Sequence, residues 1–166
     1  GKIREFGISV KTPSDAIIAI KKFSFGVIEI NYNALDHRAK NIGVFDLCKE
    51  KSIATIVRTP LAQGVISGEF QYNTDPADIR NLMEKSKFDK NISAYFDMMR
   101  YINGDSKNKI HVALQFCLAE QAVSCVIPGM KTVNHVKENI LSSQPDVQLS
   151  MSDIEKICQI YKDYNF

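Results

Sequence analysis

Val27-Ile28-Glu29-Ile30-Asn31-Tyr32, then Asp36 through Glu50, then Ile53-Ala54-Thr55-Ile56-Val57, is the stretch that decides the fold. The first run alternates, so Val27, Glu29 and Asn31 point to one face of a strand and Ile28 and Ile30 to the other. The middle run sets Ala39, Ile42, Phe45 and Cys48 on one side of a helix over about Asp36 to Glu50. The last run is β-branched and short, which suits a strand. A strand, a helix and a second strand in this order make a parallel pair with a crossover helix between them. The apolar face of the first strand is needed by the helix, so Val27, Glu29 and Asn31 must look the other way.

The same unit recurs on both sides. Upstream, Ile3 to Val10 reads as a strand, and Thr12-Pro13-Ser14-Asp15 supplies an N-cap, a proline at the first helical position and a carboxylate near the helix start. Ala16, Ile17 and Ile20 then share a helical face. Downstream, Asp75-Pro76 opens a short helix. Ile92, Tyr95, Phe96 and Met99 mark a second helix, and Ile110, Ala113, Leu114 and Cys117 a third. Cys125 to Ile127 is a fourth short strand, followed by a helix over about Thr132 to Leu141. A last helix opens on the capping box Ser152…Glu155, with Ile154, Ile157, Cys158 and Tyr161 on one side. The expected fold class is therefore α/β: four parallel βα units forming half of a (β/α)8 TIM-type barrel, with an extra C-terminal helix. Residues 1–166 are read as a single domain, because no linker, repeat or low-complexity tract interrupts them.

The totals narrow the function classes. The chain has 166 residues, 45% hydrophobic and 24% charged, with a net charge of +2. No basic face interleaved with aromatics supports nucleic-acid binding. No apolar stretch approaches the roughly 18 residues that would suggest a membrane span, and there is no secretory leader pattern. Cys48, Cys117, Cys125 and Cys158 lie far apart in apolar patterns, so they read as reduced, buried thiols of a cytoplasmic protein, with no metal site. The chain opens at Gly1 directly into strand-like sequence, which leads to the expectation that it is a fragment of something longer.

In parallel α/β folds ligands meet the C-terminal ends of strands. After the third strand comes Arg58-Thr59-Pro60-Leu61-Ala62-Gln63-Gly64, whose small residues should leave backbone N–H groups free to approach an anion. After the fourth comes Pro128-Gly129-Met130-Lys131-Thr132, a lysine running into a helix N-terminus. Together the two loops point to a phosphorylated ligand; the plainer reading of each alone is a solvated turn.

Four segments, in order, resemble one family. Gly1-Lys2-Ile3-Arg4-Glu5-Phe6-Gly7-Ile8-Ser9 is similar to the G-K-[IV]-R-x-[IL]-G-[IV]-S segment of the aldo/keto reductases. Ile30 through Ala39 resembles their x-x-Y-N-x-L-[DN]-x-R-A, and Pro60 through Gly68 their P-L-A-Q-G-[LV]-[LI]-[ST]-G. Val126 through Thr132, with Glu138-Asn139, resembles V-I-P-G-x-[KR]-[ST] ending in E-N. The resemblance implies a (β/α)8 barrel that binds NADP(H) in extended form without a Rossmann fold. It also implies that the catalytic tetrad of Asp, Tyr, Lys and His lies on the first four strand–helix units, whereas this chain begins at the fifth. None of His37, His111 and His135, and no tyrosine, matches a tetrad position, so no catalytic residue is assigned.

Cofactor positions carry over one by one from the resemblance. Ser9 matches the serine that contacts the nicotinamide amide, but Val10 stands where an asparagine usually shares that contact. Glu29 replaces the usual glutamine, and Arg58 occupies the position that packs on the nicotinamide ring. Thr59, Leu61 and Gly64 belong to the loop around the pyrophosphate, and Glu69 stands where a lysine is usual. Gly129 and Lys131 fall in the adenosine-phosphate loop, His135 where Arg or Gln often lies, and Glu138 and Asn139 where the adenine is held. Glu29 and Glu69 both set negative charge near a polyanion. A unit charge at 4 Å is worth roughly 4 kcal/mol at an effective dielectric of 20, which weakens cofactor binding unless Arg58 pairs with Glu29.

Two readings follow. One is the cofactor-binding half of an NADP-dependent oxidoreductase, inactive alone for want of the tetrad; the abrupt opening at Gly1 favours it. The other is a non-catalytic aldo/keto reductase-like scaffold or interaction module with a degenerate cofactor site, which the changes at positions 10, 29 and 69 favour. In both, open strand edges at Ile3–Ser9 and Cys125–Ile127 call for a partner: a missing N-terminal half-barrel, or a second copy of the chain.

Overall fold

The computed structural model describes residues 1–68, 83–102, 108–144 and 148–166. Four parallel strands form one sheet in chain order: β1 (Gly7–Ser9), β2 (Val27–Asn31), β3 (Ala54–Arg58) and β4 (Val123–Ile127). The helices are α1 (Pro13–Lys22), α2 (Arg38–Asn41), α3 (Val44–Glu50), α4 (Lys85–Tyr101), α5 (Lys109–Leu118), α6 (Val133–Leu141) and α7 (Met151–Asp163). This is the expected α/β half-barrel with its extra C-terminal helix. The short helix expected at Asp75-Pro76 and the position of Glu69 lie outside the described residues.

The alternation in β2 sorts as expected. Ile28 and Ile30 are buried against the helices, whereas Val27, Glu29 and Asn31 are half-exposed on the opposite face. β3 repeats the pattern, with Thr55 and Val57 buried. Register aligns Ser9, Glu29, Ile56 and Cys125 in one row across that second face, and Asn31, Arg58 and Ile127 in the next. Between β3 and β4 the register slips at Thr55/Ile56, and the extra residue, Ser124, takes the Thr55 amide on its own Oγ at 3.2 Å. A side chain thus supplies the ladder bond that the bulge removed.

Several boundaries differ from expectation. β1 covers only Gly7–Ser9, because residues 1–6 have no neighbouring strand among the described residues, and Ile3 and Phe6 are exposed. β4 is longer than expected and starts at Val123. The expected helix over Asp36–Glu50 is two: α2 ends at Asn41 with Ile42 as its C-cap, Gly43 takes a left-handed conformation (φ 79°), and α3 starts anew. Gly accepts that conformation without the steric cost a Cβ brings. Ile42 is exposed as a result, not buried, while Ala39, Phe45 and Cys48 are fully enclosed. In α4 Phe96 is also exposed; the face that packs inward is Phe88, Asn91, Ala94, Tyr95 and Met98. The last helix is capped by Ser150 and Asp153, not Ser152 and Glu155: Ser150 Oγ accepts from Asp153 N at 3.1 Å, and Asp153 Oδ2 accepts from Ser150 N. Of the thiols, Cys48 and Cys117 are buried as expected, but Cys158 is half-buried and Cys125 exposed.

An aromatic cluster joins the layers. His37 stacks on Tyr161 of α7 (centroids 4.0 Å apart) and on Phe116 of α5 (5.0 Å), and Tyr32 packs edge-on against Phe45 of α3. His37 Nε2 lies 3.1 Å from the Ala34 carbonyl, which makes it the protonated nitrogen. Burial pushes the imidazole down to about 4, so it is neutral at pH 7. The C-terminal turn is tied to α4: Tyr164 donates to Asp97 at 2.7 Å, and Lys90 Nζ sits 4.9 Å over the Phe166 ring. The C-terminal end of α7 is therefore fixed to the half-barrel from two sides.

Candidate functional site

The expected site residues gather at the C-terminal ends of the strands, in two groups. The first lies on the face away from the helices. Ser9 ends β1, Glu29 sits opposite it on β2, and Arg58 ends β3. Ser9 Oγ donates to Glu29 Oε1 at 2.9 Å, Arg58 Nε lies 3.6 Å from that same oxygen, and Arg58 Nη2 donates to the Val10 carbonyl at 3.0 Å. Arg58 thus pairs with Glu29, as its charge suggested. The pairing also engages the serine hydroxyl and two of the three guanidinium nitrogens, Nε and Nη2, within the chain. Both charged side chains are about one-third exposed, so solvent screens the pair.

The loop after β3 runs through Thr59, Leu61 and Gly64. It is held by Asn33, in the turn after β2, whose Nδ2 donates to the Thr59 carbonyl at 3.0 Å. The expected run of free amides is not what forms. The N–H groups of Ala62, Gly64, Val65 and Ile66 donate to the carbonyls of Thr59, Leu61, Ala62 and Leu61, closing a 3-10 turn at Ala62–Gly64. Small residues allowed a tighter turn than a ligand cradle requires. Leu61 packs against the core, and Thr59, Ala62 and Gln63 all have positive φ (59°, 48° and 57°).

The second group surrounds the start of α6. Thr132 caps the helix, accepting the His135 amide on Oγ1 at 3.2 Å. His135 turns Nδ1 to the Lys131 N–H at 3.3 Å, and Asn139 Nδ2 donates to the Gly129 carbonyl at 3.4 Å. Gly129, Lys131, His135 and Asn139 therefore form one folded corner, with Glu138 half-buried beside it. A Cβ at Gly129 would meet nothing within 4 Å, so the corner is open to approach. Lys131 is exposed, and its charge adds to the positive end of the helix dipole.

Sequence reasoning missed one further network. Asn31 Nδ2 donates to Asp36 Oδ2 at 2.6 Å, and Arg38 grips the same carboxylate at 2.7 and 2.8 Å. Burial opposes ionisation of Asp36, but the hydrogen bonds and charge of Arg38 outweigh it and hold the carboxyl below its ordinary range. The Asp36-x-Arg38 spacing was the available signal.

A family model for the aldo/keto reductase family matches residues 1–162. The chain is 24% identical over 164 residues to an aldo-keto reductase of Schizosaccharomyces pombe named yakc [NADP(+)], covering 95% of this chain and 48% of that protein. It is 29% identical over 106 residues to a probable voltage-gated potassium channel subunit beta of Oryza sativa subsp. japonica, covering 60% and 32%. Among solved structures it is similar to the holo form of aldo-keto reductase AKR11C1 from Bacillus halodurans (TM-score 0.69, 22% identity, 93% of this chain and 49% of that one). It is also similar to the glycerol dehydrogenase AKR11B4 of Gluconobacter oxydans (TM-score 0.73, 15% identity, 96% and 49%). The chain spans about half the length of these relatives' chains, or less.

Proposed function

The chain belongs to the aldo/keto reductase family, and on that premise we propose that it is the cofactor-binding half of an NADP-dependent oxidoreductase, without catalytic residues of its own. One observation carries this reading: Ser9, Glu29, Arg58, the loop at Thr59–Gly64 and the corner at Gly129–Asn139 all lie at the C-terminal ends of four parallel strands. The cofactor, when bound, supplies the hydride. The fit differs between its two ends. At the adenosine end Lys131 and the start of α6 offer positive charge to a phosphate, Gly129 leaves room, and His135 and Asn139 hold the corner's shape, with Glu138 beside them. At the nicotinamide end Ser9 donates to Glu29 instead of waiting for an amide, and Val10 offers only its carbonyl, already bonded to Arg58. Binding is therefore weak, and NADPH is preferred over NADH through Lys131.

With no tetrad residue, the chain has no proton donor to place over a carbonyl, and general acid assistance of the kind that gives about 10²–10⁴-fold is lost. The sheet face carrying Glu29 and Arg58, and the edges of β1 and β4, are covered by a partner. This is a half-barrel bearing the first four βα units, or else a second copy of the chain. Fluorescence titration with NADPH and NADH, on the native chain and on Lys131→Ala, tests the reading beside a carbonyl-reduction assay. Weak, NADPH-selective binding that loses its selectivity in the variant, and no turnover above background, is expected. Submicromolar affinity, unchanged selectivity or steady turnover contradicts it.

The second reading, a non-catalytic interaction module with a degenerate cofactor site, rests on the Ser9–Glu29–Arg58 cluster being satisfied within the chain. The similarity to a probable channel beta subunit agrees with it. Absence of any binding by either cofactor, in a chain that still folds, favours this reading.

A further inference from the structure

The turn after β2 and the loop after β3 meet at one side chain. Asn33 is 2% exposed, and both ends of its carboxamide are engaged. Its Oδ1 accepts the Leu35 N–H at 2.9 Å, closing the turn on its own side chain. Its Nδ2 donates to the Thr59 carbonyl at 3.0 Å, 26 residues away in the chain. A donor on one side and an acceptor on the other fix which way the carboxamide points.

The turn that carries Asn33 is firmly tied. Asn33 and Asp36 exchange backbone hydrogen bonds at 3.0 and 3.2 Å, and the Asp36 carboxylate is bound back to Asn31 of β2 and forward to Arg38. The loop it touches is the opposite case. Thr59, Ala62 and Gln63 all hold positive φ, which a β-branched residue such as Thr59 adopts rarely. Backbone of this kind persists where its surroundings enforce it. The Thr59 carbonyl also accepts the Ala62 N–H at 3.0 Å, so Asn33 grips the atom on which the 3-10 turn closes. Among the described residues, no other side chain from outside the loop hydrogen-bonds to its backbone.

We propose that Asn33 is the positioning residue of this loop: it sets the shape of Thr59–Gly64, and through that shape the affinity for the diphosphate of NADP(H). The ligand rests on the cofactor reading above; the brace does not. A loop held in one shape before the ligand arrives spares the ligand the cost of ordering it. The corner at Gly129–Asn139 is shaped by its own hydrogen bonds, from Thr132, His135 and Asn139, and none of them involves Asn33. A ligand confined to that corner therefore does not sense the brace, whereas one that extends onto the loop does. A residue that merely filled space would weaken both alike.

Hydrogen exchange read by nuclear magnetic resonance, with titration of NADPH and of 2′,5′-ADP, tests it on the full polypeptide carrying these residues. Two variants separate the brace from the packing. Asn33→Ser keeps an oxygen that can close the turn on Leu35 but is too short to reach the Thr59 carbonyl. Asn33→Leu keeps the volume and removes the donor. In both, exchange at the Ala62, Gly64, Val65 and Ile66 amides should quicken about tenfold more than at Leu114 and Cys117 of α5, which report the whole fold. NADPH should bind about tenfold more weakly to both variants, and 2′,5′-ADP, which needs only the adenosine corner, as it does to the native protein. Loop amides that quicken no more than those of α5 overturn the proposal. So does an NADPH affinity that is unchanged in both variants, or that falls in step with that for 2′,5′-ADP. A native protein that binds neither nucleotide refutes the cofactor reading instead; exchange alone then decides the brace, upheld by quickened loop amides and overturned by slow ones.

Discussion

α5 and α6 flank the same strand, yet α5 buries seven of its ten residues and α6 buries none. Ile110, Val112, Ala113, Leu114, Phe116 and Cys117 all enter the core from α5, whereas Val133, Val136, Ile140 and Leu141 of α6 are exposed. Composition gives part of the difference, since α5 (KIHVALQFCL) is richer in apolar residues than α6 (VNHVKENIL). Neighbours give the rest, because the apolar residues that α6 does carry stay exposed. α5 has the sheet on one side and the aromatic cluster of α3 and α7 on the other, while α6 lies at the end of the four-strand layer. The opposite flank agrees: Ile3, Phe6, Ile18 and Phe23, around β1 and α1, are exposed as well. Apolar residues bare on both flanks, with the middle packed, are what an arc cut from a closed barrel looks like.

The largest effect that would break the contrast belongs to α5. Phe116 is 2% exposed and lies 5.5 Å from the Tyr32 ring and 5.0 Å from His37. Phe116→Ala should cost about 3–5 kcal/mol in urea unfolding; a loss under about 1 kcal/mol would mean the middle of the arc is loosely packed.

His37 comes next, and its effect depends on pH. Its folded-state value is about 4 against an ordinary 6.5, so the unfolded chain binds the extra proton first as pH falls. The stabilising contribution is complete above about pH 6.5 and is lost progressively down to about pH 4, for a total of about 3 kcal/mol. Urea midpoints measured across that window should decline, and His37→Phe should flatten the decline. An equal slope in the variant would assign it to other groups.

Ser150→Ala removes the cap of α7 and should cost about 1 kcal/mol, measured by the same unfolding curve. Ser152→Ala should cost almost nothing. The pair distinguishes the observed capping box from the other one that the sequence allows.

The smallest effect on stability is expected on α6. Val133→Ser with Ile140→Ser should move the unfolding free energy by no more than about 0.5 kcal/mol while weakening any association of the chain. A large loss of stability would show that α6 is packed after all.

How much of this was legible in the sequence follows a physical line. Faces were legible: the alternation of Val27–Asn31 reports a boundary between helix layer and open face at period two, and the structure keeps it. Interruptions were not. Apolar spacing continues through Ile42, so it hides the left-handed turn at Gly43, and two overlapping S-x-x-[DE] boxes sit at the start of α7. The positions of Ser9, Glu29 and Arg58 could be read individually. Ser9 lies 20 residues from Glu29, however, and only the sheet register brings its hydroxyl onto that carboxylate. The loop at Thr59–Gly64 suggested free amides by composition, but local hydrogen bonds compete for the same donors and win.

The central claim, that these residues form an arc needing cover along both edges, is tested most directly by hydrogen exchange on the 166-residue chain at β1 and β4, with light scattering on the same dilute sample. The account predicts fast exchange at Gly7–Ser9 and Val123–Ile127 in whatever fraction is monomeric, and protection that rises with association. A monodisperse 18.7 kDa monomer with both edge strands strongly protected would contradict it.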